Sequence, residues 1–378
     1  MRQIVIRGVG AVDLFASIPV GIRYHGETFI VISSSSSSSE ANVSFSCSGS
    51  VLVTGATGFI GRPLVTRLVE LGCVTRALVL PGDPIPPSWG EKVEVFVGDI
   101  TNRSEVEESL RGIDTVIHLA AMVGDWGEPS SYRRVTVEGT ENVLGIAARE
   151  SIRAVLSSSI VVYGDRVGRE VCDEETPHGR APGIYTRSKQ MQEQVARHLE
   201  ETEGLVLTIV RPSNVYGPGS VPWVDKVSEQ LLRGYPALVG GGEQNAGLAH
   251  VQNVVDIFLR AAFLPQARGR TYNACDTLDI TWKRYFGDLA SILEAPRPRN
   301  IPRFIARISA CLCECAWNRL RLSDRPPVTR EALNLVGSHH RISSDRVREE
   351  LGHSVEVGYE EGLQTVRRYL EESFLVKG

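Results

Sequence analysis

Short apolar runs alternate with longer amphipathic segments from residue 50 to residue 215. The apolar runs predict β-strands at residues 51–53, 74–80, 93–97, 115–119, 154–157 and 205–210. Two of the intervening segments predict helices, at residues 61–70 and 137–150. Strands that alternate with helices indicate a parallel sheet with helices on both faces. The predicted fold class is therefore α/β, a doubly wound parallel sheet of the Rossmann type.

The alternation weakens after residue 214. Prolines and glycines become frequent there, at Pro218, Pro222, Pro236 and residues 240–242. The chain then ends in a helical segment at residues 359–372. This pattern predicts a smaller, mixed lobe, and such a lobe supplies substrate contacts beyond the carboxyl ends of the strands. We therefore predict a sheet domain at residues 49–215 and a smaller substrate-binding lobe at residues 216–378, interleaved with the first.

The first 48 residues do not share the pattern. They contain a serine run, Ser33–Ser39, which cannot bury enough apolar surface to offset the entropy of ordering the chain. We predict that residues 1–48 are an N-terminal extension that is disordered or lies outside the core. The segment lacks the layout of a secretory signal, and Asp13, Glu27 and Glu40 disfavour a transit peptide.

Composition narrows the class of partner. Apolar residues make up 42% and charged residues 23% of the chain, as in ordinary soluble proteins. The net charge of −4 gives no electrostatic reason to expect nucleic acid or an anionic membrane as a partner. No apolar run reaches the roughly 18 residues that a membrane-spanning helix needs. The chain is therefore predicted to be cytoplasmic.

The seven cysteines do not predict a metal site. On a helix, Cys311, Cys313 and Cys315 would point in different directions, and no histidine pair lies at ligand spacing. Closed zinc sites need four convergent ligands. We predict no metal, and we expect reduced, buried thiols.

A glycine-rich turn follows the first predicted strand, with glycines at Gly55, Gly58 and Gly61. The first permits the tight turn, the second lets backbone amides approach a pyrophosphate, and the third allows close packing of helix on strand. The positive end of the helix favours the phosphate charge. This arrangement predicts that residues 49–215 bind NAD(P). The residues expected at the cofactor in this turn are Gly55, Thr57, Gly58, Phe59, Ile60, Gly61 and Arg62.

Two further strand ends are predicted to touch the dinucleotide. Asp99 and Ile100 follow the third strand, where an acid can accept a hydrogen bond from the adenine amino group. The alternative is that Asp99 caps a helix starting near Ser104. Small residues end the fourth strand at His118–Ala121, so Ala120 would leave room for the cofactor.

The preference between NAD and NADP depends on the second strand. An NAD enzyme usually has an acid at the end of this strand, where it binds the ribose hydroxyls. That position is Val79 here, and Arg62 and Arg76 are the nearest cations for a 2′-phosphate. The sequence therefore leans slightly towards NADP.

A phenol and an ammonium lie four residues apart on one helix face, at Tyr185 and Lys189. A phenol with a pKa of about 10 is a poor proton shuttle at neutral pH. A nearby cation stabilises the phenolate and lowers that pKa. Ser157–Ser159, upstream at the end of the fifth strand, can align a substrate oxygen with the phenol. The alternative is that these serines only satisfy the strand end.

Several ordered motifs are similar to those of the extended short-chain dehydrogenase/reductases, also called the NAD-dependent epimerase/dehydratase family. They are the glycine turn, Asp99, His118–Ala121, residues 137–142, Ser159–Gly164, Tyr185 with Lys189, residues 211–218 and residues 250–256. The resemblance implies that Ser159, Tyr185 and Lys189 are catalytic. It also implies that Tyr185 and Lys189 bind the cofactor, Lys189 at the nicotinamide ribose. It also implies that Pro212, Asn214 and Val215 lie along the nicotinamide. One departure is Thr136, at a helix position that is often asparagine in relatives, which puts a fourth catalytic residue in doubt.

Residues near these motifs narrow the reaction. Sugar-nucleotide 4,6-dehydratases of the family carry an acid pair where this chain has Ile160 and Val161. Sugar-nucleotide epimerases usually grip the diphosphate with an arginine before His250, where this chain has Gly247–Ala249. The chain looks more like the 3β-hydroxysteroid and 4α-carboxysterol dehydrogenase-like subgroup, which includes 2-alkyl-3-ketoacid reductases. The signs of that subgroup lie at residues 123–127, 326–330 and 344–352.

The subgroup implies reversible oxidation of a secondary alcohol to a ketone on a hydrophobic, steroid-like or β-hydroxyacyl substrate, with Tyr185 as general acid and base. A sugar-nucleotide epimerase of the same family stays the alternative. A non-catalytic nucleotide-binding regulator is a second alternative, although it predicts a broken catalytic set. Family membership also implies a homodimer.

Residues 301–322 form a broad apolar segment flanked by arginines. Its apolar residues are Phe304, Ile305, Ile308, Leu312, Cys315, Trp317 and Leu320. They predict the wall of an apolar substrate pocket or contact with a membrane surface. Ordinary core packing is the alternative.

Overall fold

The structure of the chain is a computed structural model, which describes residues 21–24, 27–30, 47, 49–322 and 324–375. The chain divides into two compact units, Met1–Ser46 and Cys47–Gly378. In the first unit, Gly21–Tyr24 pairs antiparallel with Glu27–Ile30, a hairpin that the sequence analysis did not predict. The serine run, which we assigned to a segment outside the core, lies outside the described residues.

The strands of the second unit are β1 Ser50–Thr54, β2 Val74–Val79, β3 Val93–Val97, β4 Thr115–His118, β5 Arg153–Ser157, β6 Leu207–Pro212, β7 Asn214–Tyr216, β8 Pro236–Val239, β9 Leu248–His250, β10 Thr271–Ala274 and β11 Arg299–Ile301. Its α-helices are α1 Gly61–Glu70, α2 Arg103–Ser109, α3 Pro129–Tyr132, α4 Gly139–Arg149, α5 Ile184–Glu203, α6 Lys226–Leu232, α7 Val251–Phe263, α8 Trp282–Ile292, α9 Arg303–Leu320, α10 Arg330–Gly337, α11 Asp345–Leu351 and α12 Tyr359–Leu370.

Seven parallel strands form the central sheet, in the order β10-β6-β5-β4-β1-β2-β3. The predicted fold class, a doubly wound parallel sheet, is confirmed. The six predicted strands are all present, and β10 is a seventh that the sequence analysis missed. The chain order reverses between β1 and β4, and ligands of such sheets bind in the crevice at this reversal, beyond the carboxyl ends of the strands. The candidate site is therefore expected there.

Among the described residues of this unit, two large clusters of buried side chains stabilise the fold. The first packs the sheet against α4 and α5, with Leu52, Val116 and Ile209 fully buried. The second lies under the C-terminal helices and is rich in aromatic residues, since Tyr285 packs against both Tyr216 and Trp282. Burying an aromatic or large aliphatic side chain stabilises a fold by about 1.5–3 kcal/mol. The second cluster draws all of its members from residues 216–370.

The cysteines differ from our expectation of reduced, buried thiols. Cys47 and Cys73 form a disulfide, which joins the start of the second unit to the residue before β2. Disulfides are rare in reducing compartments, so this one counts against the predicted cytoplasmic location. Cys172 and Cys275 are free and buried, whereas two of the cysteines on α9 are exposed. In the part of the chain that the structure describes, no group of three or more histidine, cysteine or acidic residues could hold a metal ion.

Helix α9 lies mostly outside the core. Its buried residues are Ala306, Ala310 and Glu314. Its large apolar side chains are mostly exposed, at Phe304, Ile305, Ile308, Leu312 and Leu320. Core packing is therefore the wrong interpretation of these side chains. Among the residues that the structure describes, no helix is long and apolar enough to span a membrane.

Candidate functional site

The glycine turn joins β1 to α1, and its glycines are required by contacts with backbone. Gly55 has φ +65°, a conformation that glycine adopts without strain. A Cβ added to Gly61 would lie 2.2 Å from the carbonyl oxygen of Gly55, which leaves no room for a side chain. The Gly58 amide donates to the Gly55 carbonyl at 3.0 Å, which closes the turn.

The first turn of α1 has no side-chain cap and no acidic residue. Its amides therefore retain a partial positive charge that no side chain of α1 offsets. Thr57, Phe59 and Ile60 are partly exposed around it, and Gly58 is exposed. Arg62 folds back, with its Nε donating to the Thr57 carbonyl at 2.7 Å. An uncapped helix N-terminus with a partial positive charge, next to a glycine-rich turn, fits a dinucleotide pyrophosphate.

Arg76, one of the two cations that we predicted for a 2′-phosphate, does not lie at the glycine turn. Its guanidinium donates to the carbonyls of Ser109 and Arg111, at 2.7 and 2.9 Å, and pairs with Glu94. These contacts direct Arg76 to the end of α2 and to β3, because its position in β2 precedes the carboxyl end of the strand.

An acid that the sequence analysis missed lies at the glycine turn instead. The Thr57 hydroxyl donates to the Asp83 carboxylate at 2.5 Å. Asp83 lies four residues after Val79, the last residue of β2. The analysis looked for this acid at the strand end, Val79. A short loop carries it back to the turn, which sequence spacing alone did not indicate.

Asp99, Ile100 and Ala120 follow the ends of β3 and β4. One carboxylate oxygen of Asp99 accepts a hydrogen bond from the Thr101 amide at 2.8 Å. The alternative role of Asp99, capping α2, is wrong because Asn102 caps that helix. The Ile100 side chain is buried, so its contact with a cofactor would be made by backbone atoms. The amide of Ala120 donates to the Thr54 hydroxyl at 3.1 Å.

Ser159 and Tyr185 are brought together, although 25 intervening residues separate them in the chain. Ser159 lies just after β5 and Tyr185 in the first turn of α5. The Ser159 hydroxyl lies near enough to the Tyr185 phenol to lower the pKa of the phenol. The Ser159 hydroxyl also lies 3.4 Å from the Pro212 carbonyl, at the end of β6. A hydroxyl pair of this kind can bind one substrate oxygen and exchange a proton with it.

Lys189 is held by a chain of buried hydrogen bonds. Its Nζ donates to the Ser157 carbonyl and to Gln192 Oε1, both at 2.9 Å. Gln192 Nε2 donates to the Thr140 hydroxyl at 2.8 Å, and His118 Nε2 lies 2.9 Å from the same hydroxyl. Each of these side chains is almost fully buried. The ammonium is therefore held by two neutral acceptors.

His118 extends this chain to the glycine turn. Its Nδ1 lies 2.7 Å from the hydroxyl of Thr54, the last residue of β1. Burial, with the nearby Lys189 cation, lowers the pKa of His118 to about 3, so the imidazole is neutral. Burial also lowers the pKa of Lys189 to about 7, against the opposing effect of Glu193. The lysine is thus close to its titration point at neutral pH.

The structure does not show the predicted effect of the lysine on the tyrosine. Burial raises the pKa of the Tyr185 phenol above its ordinary value. The negative charge of Glu331 raises it further, and the hydrogen bond with Ser159 lowers it. Lys189 is not among the groups that shift this pKa, because its ammonium is directed towards Ser157 and Gln192. The expectation of a lysine-lowered phenol pKa is therefore wrong for this state.

Glu331 is a second residue that the sequence analysis missed. It is 2% exposed and comes from α10 in the C-terminal lobe. Its carboxylate accepts hydrogen bonds from the amides of Tyr185 and Thr186, at 3.1 and 2.6 Å, and from the Thr186 hydroxyl at 2.6 Å. The first turn of α5 is therefore capped by a carboxylate 146 residues away. No local signal in the sequence indicates this contact.

The segment before Glu331 also reaches the sheet domain. Asp125, in the loop after β4, accepts hydrogen bonds from the Arg325 guanidinium at 2.5 and 2.6 Å and from the Thr329 hydroxyl at 2.5 Å. The Thr329 hydroxyl also caps α10. Both motifs that suggested the steroid-dehydrogenase-like subgroup, residues 123–127 and 326–330, thus meet at one place beside α5.

The remaining predicted residues are held by backbone contacts. Asn214 donates through Nδ2 to the Ala246 carbonyl at 2.7 Å, and Val215 is buried beside it in β7. Pro212 ends β6. Thr136 is fully buried, and its hydroxyl accepts a hydrogen bond from the Met122 amide at 3.0 Å. That hydroxyl is therefore engaged with the loop after β4.

The sequence matches the family model described as "Epimerase: NAD dependent epimerase/dehydratase family" over residues 51–275. The chain is 29% identical over 330 residues to a 2-alkyl-3-oxoalkanoate reductase of Stenotrophomonas maltophilia (strain K279a), covering 84% of this chain and 98% of the relative. It is 32% identical to a 3-beta-hydroxysteroid dehydrogenase of Mycolicibacterium neoaurum, over 57% of this chain and 61% of the relative. A solved structure, MoeE5 in complex with UDP-glucose and NAD, is similar with a TM-score of 0.67 and 25% identity, covering 86% of this chain and 99% of that protein.

Proposed function

The chain belongs to the NAD dependent epimerase/dehydratase family, and from that premise we propose that it interconverts a secondary alcohol and a ketone on a hydrophobic substrate. The observation that carries this proposal is that Ser159, which follows β5, and Tyr185, in the first turn of α5, are brought close together beside the end of β6. Lys189 lies one helical turn beyond the tyrosine on α5.

In the proposed reaction, Tyr185 exchanges a proton with the substrate oxygen. Burial and Glu331 keep the phenol protonated at neutral pH, so it can donate that proton when a ketone is reduced. Ser159 orients the same oxygen through its hydroxyl. Because the pKa of Lys189 is lowered to about 7, the lysine can take up or release a proton near neutrality when its surroundings change.

The residues that would hold the dinucleotide are those of the glycine turn with Asp99, Ala120, Lys189 and the backbone of Pro212–Val215. When bound, the nicotinamide supplies or accepts the hydride that changes the oxidation state of the substrate carbon. The residues present fit the group, because an uncapped helix end and a glycine cradle face the crevice.

We revise the slight lean towards NADP and propose NAD. Arg76 is engaged at the end of α2, whereas the Asp83 carboxylate lies at Thr57 in the turn. A carboxylate at this place accepts hydrogen bonds from ribose hydroxyls and repels a 2′-phosphate. Arg62 donates its Nε to the Thr57 carbonyl, which uses part of its capacity to bind an anion.

The substrate class follows from two observations. Ile160 and Val161 are buried beside Ser159, so no acid pair for dehydration is present there. The relatives named above act, by their names, on 2-alkyl-3-oxoalkanoates and 3-beta-hydroxysteroids. Both names describe a ketone or secondary alcohol on an apolar framework, and we propose the same class for this chain.

The test is an absorbance assay of purified protein with NADH or NADPH and a series of β-ketoacids and 3-ketosteroids, followed by the reverse reaction with the alcohols. We expect consumption of NADH that depends on the ketone, with a kcat/KM at least roughly tenfold higher for NADH than for NADPH. A higher value with NADPH would overturn the cofactor assignment, and no turnover of any apolar ketone or alcohol would overturn the substrate class.

A sugar-nucleotide epimerase is the second candidate, favoured by the similarity to MoeE5. Against it, residues 247–249 are a glycine and the first two residues of the buried strand β9, and none of them is a cation that could hold a diphosphate. The two functions differ in redox balance. An epimerase interconverts UDP-sugars with no net change in free NADH, so UDP-glucose incubated with the protein and analysed by NMR separates them. A regulator without activity would give no change in either assay.

A further inference from the structure

We infer that the outer face of α9 is a docking surface for an anionic lipid membrane. α9 is an 18-residue helix that contacts the protein through small or ion-paired residues. Its buried side is formed by Ala306, Ala310 and Glu314. Glu314 accepts hydrogen bonds from the amide and Nε of Arg330, so the inner side of the helix is satisfied. The docking surface is separate from the residues of the reaction proposed above.

The opposite side of α9 carries an exposed apolar stripe, which we call the α9 stripe. It consists of Phe304, Ile308, Cys311, Leu312 and Cys315. The side chains of Phe304, Ile308 and Leu312 are 66%, 57% and 64% exposed. On an α-helix, residues two apart lie about 200° apart around the axis, so Ile308 is opposite Ala306. Residues six apart, such as Phe304 and Ala310, lie about 120° apart. An ordinary surface helix turns its apolar face to the core, whereas the large apolar side chains of α9 are exposed and its buried side is two alanines and a glutamate.

Exposed arginines surround the α9 stripe. Residues 297–325 contain seven arginines and two carboxylates, whereas the whole chain has a net charge of −4. Exposed arginines lie before and after the stripe, at Arg297, Arg299, Arg303, Arg307, Arg319 and Arg321. The ion pairs recorded for this region are Arg325 with Asp125 and Arg330 with Glu314. The net charge of the chain therefore conceals a local cationic region.

An apolar helix face bordered by arginines complements an anionic lipid surface. Such helices lie in the plane of the membrane, with the apolar residues among the acyl chains and the cations at the headgroups. A second copy of the chain is a poorer partner, because a symmetric contact between two α9 helices would bring their arginines together. Charge complementarity thus selects lipid rather than the same surface of another molecule.

The experiment is sedimentation of the full chain with vesicles of phosphatidylcholine alone or mixed with phosphatidylglycerol. We expect binding to the mixed vesicles at low salt, with binding falling as salt rises. Replacing Arg307, Arg319 and Arg321 together with glutamine should weaken it roughly 100-fold. Replacing Phe304, Ile308 and Leu312 with serine should weaken binding more than about tenfold. The matched control is serine at three exposed valines elsewhere, Val171, Val206 and Val355.

The native thiols of the α9 stripe report where binding occurs. Cys311 and Cys315 are exposed, whereas Cys172 and Cys275 are buried, so a maleimide reagent should label the stripe. We expect mixed vesicles to protect these two thiols. Absence of binding to any vesicle, or equal binding by the serine variant of the stripe, would overturn the inference. A different result would also overturn the inference: the thiols are protected without lipid, and the protein is a dimer that the serine variant dissociates. The α9 stripe would then be an interface between two copies of the chain.

Discussion

Two helices of the second unit begin at the candidate site. The N-terminus of one is uncapped, and the N-terminus of the other is capped by a carboxylate. α1 begins at Gly61 with no side-chain cap and no acid in its first turn. α5 begins at Ile184, and the Glu331 carboxylate accepts hydrogen bonds from its first amides. Both ends carry the partial positive charge of a helix N-terminus. One is left for an anionic ligand, and the other is neutralised by the protein itself.

The difference shows what each helix end has to do. A dinucleotide brings its own phosphates, so a carboxylate cap on α1 would compete with the ligand. α5 carries Tyr185 in its first turn, and a frayed first turn would move the phenol. Glu331 fixes that turn, and its charge also raises the pKa of the phenol. The cap therefore holds the phenol both in position and in its protonated form.

The largest expected effect is at Tyr185 itself. Tyr185→Phe removes the hydroxyl and leaves the α5 cap intact, because Glu331 binds the backbone amide. We expect kcat for ketone reduction to fall by roughly 10²–10⁴-fold. NADH binding, measured by fluorescence titration, should stay within about twofold. Tyr235→Phe, at an exposed tyrosine, is the control. Full turnover by the Tyr185 variant would remove the phenol from the mechanism.

The uncapped end of α1 is tested by Gly61→Ala. The added Cβ would lie 2.2 Å from the Gly55 carbonyl oxygen and 2.7 Å from that of Ala56, both backbone atoms that cannot move away cheaply. We expect the variant to bind NADH at least roughly tenfold more weakly and to lose about 1–3 kcal/mol of stability. Titration calorimetry and urea denaturation measure the two quantities.

The matched control for that variant is Gly145→Ala in α4. No heavy atom lies within 4 Å of a Cβ built at this glycine. Alanine in a helix interior stabilises by about 0.5–1 kcal/mol relative to glycine, so this variant should gain stability and bind NADH normally. If Gly61→Ala behaved like Gly145→Ala, close packing of the α1 end on the turn would not matter for binding.

The same comparison separates the features that could be predicted from the sequence from those that could not. The bare α1 end was predictable, because the spacing of Gly55, Gly58 and Gly61 between a strand and a helix is a local pattern. The strands of the sheet were predicted for the same reason, apart from β10. Thr271–Ala274 is a polar four-residue strand that is buried by its neighbours, so its own residues do not indicate a strand.

The capped end of α5 could not be predicted in this way. Tyr185 and Lys189 carry a local signal, but Glu331 is one of many acids in the C-terminal lobe and its contact depends on the tertiary fold. The direction of the Lys189 ammonium was mispredicted for a related reason. Its partner Gln192 is itself held by Thr140 from the packed helix α4, and this buried amide competes with the phenol for the lysine.

The smallest expected effect concerns the charge of the α5 cap. Glu331 is buried, and burial raises the pKa of its carboxyl to about 6, against the hydrogen bonds from Thr186 and Tyr185 that lower it. The ordinary value is 4.5, so the folded protein binds this proton more tightly than the unfolded chain. The contribution of Glu331 to stability is therefore highest below about pH 4.5 and falls by about 2 kcal/mol as the pH rises to 6 and above.

Glu331→Gln isolates this contribution, since the amide keeps an acceptor oxygen for the α5 amides and does not titrate. We expect the free energy of unfolding, measured by urea denaturation from pH 4.5 to pH 7, to fall about 2 kcal/mol less in the variant than in the native chain. Removal of the negative charge should also lower the pKa of Tyr185 and shift the pH profile of alcohol oxidation towards lower pH. Glu108→Gln, at an exposed position, should change neither. If the variant instead showed the native pH profile of alcohol oxidation and the native fall of the unfolding free energy with pH, Glu331 would only cap the helix. Its charge would then not act on the phenol.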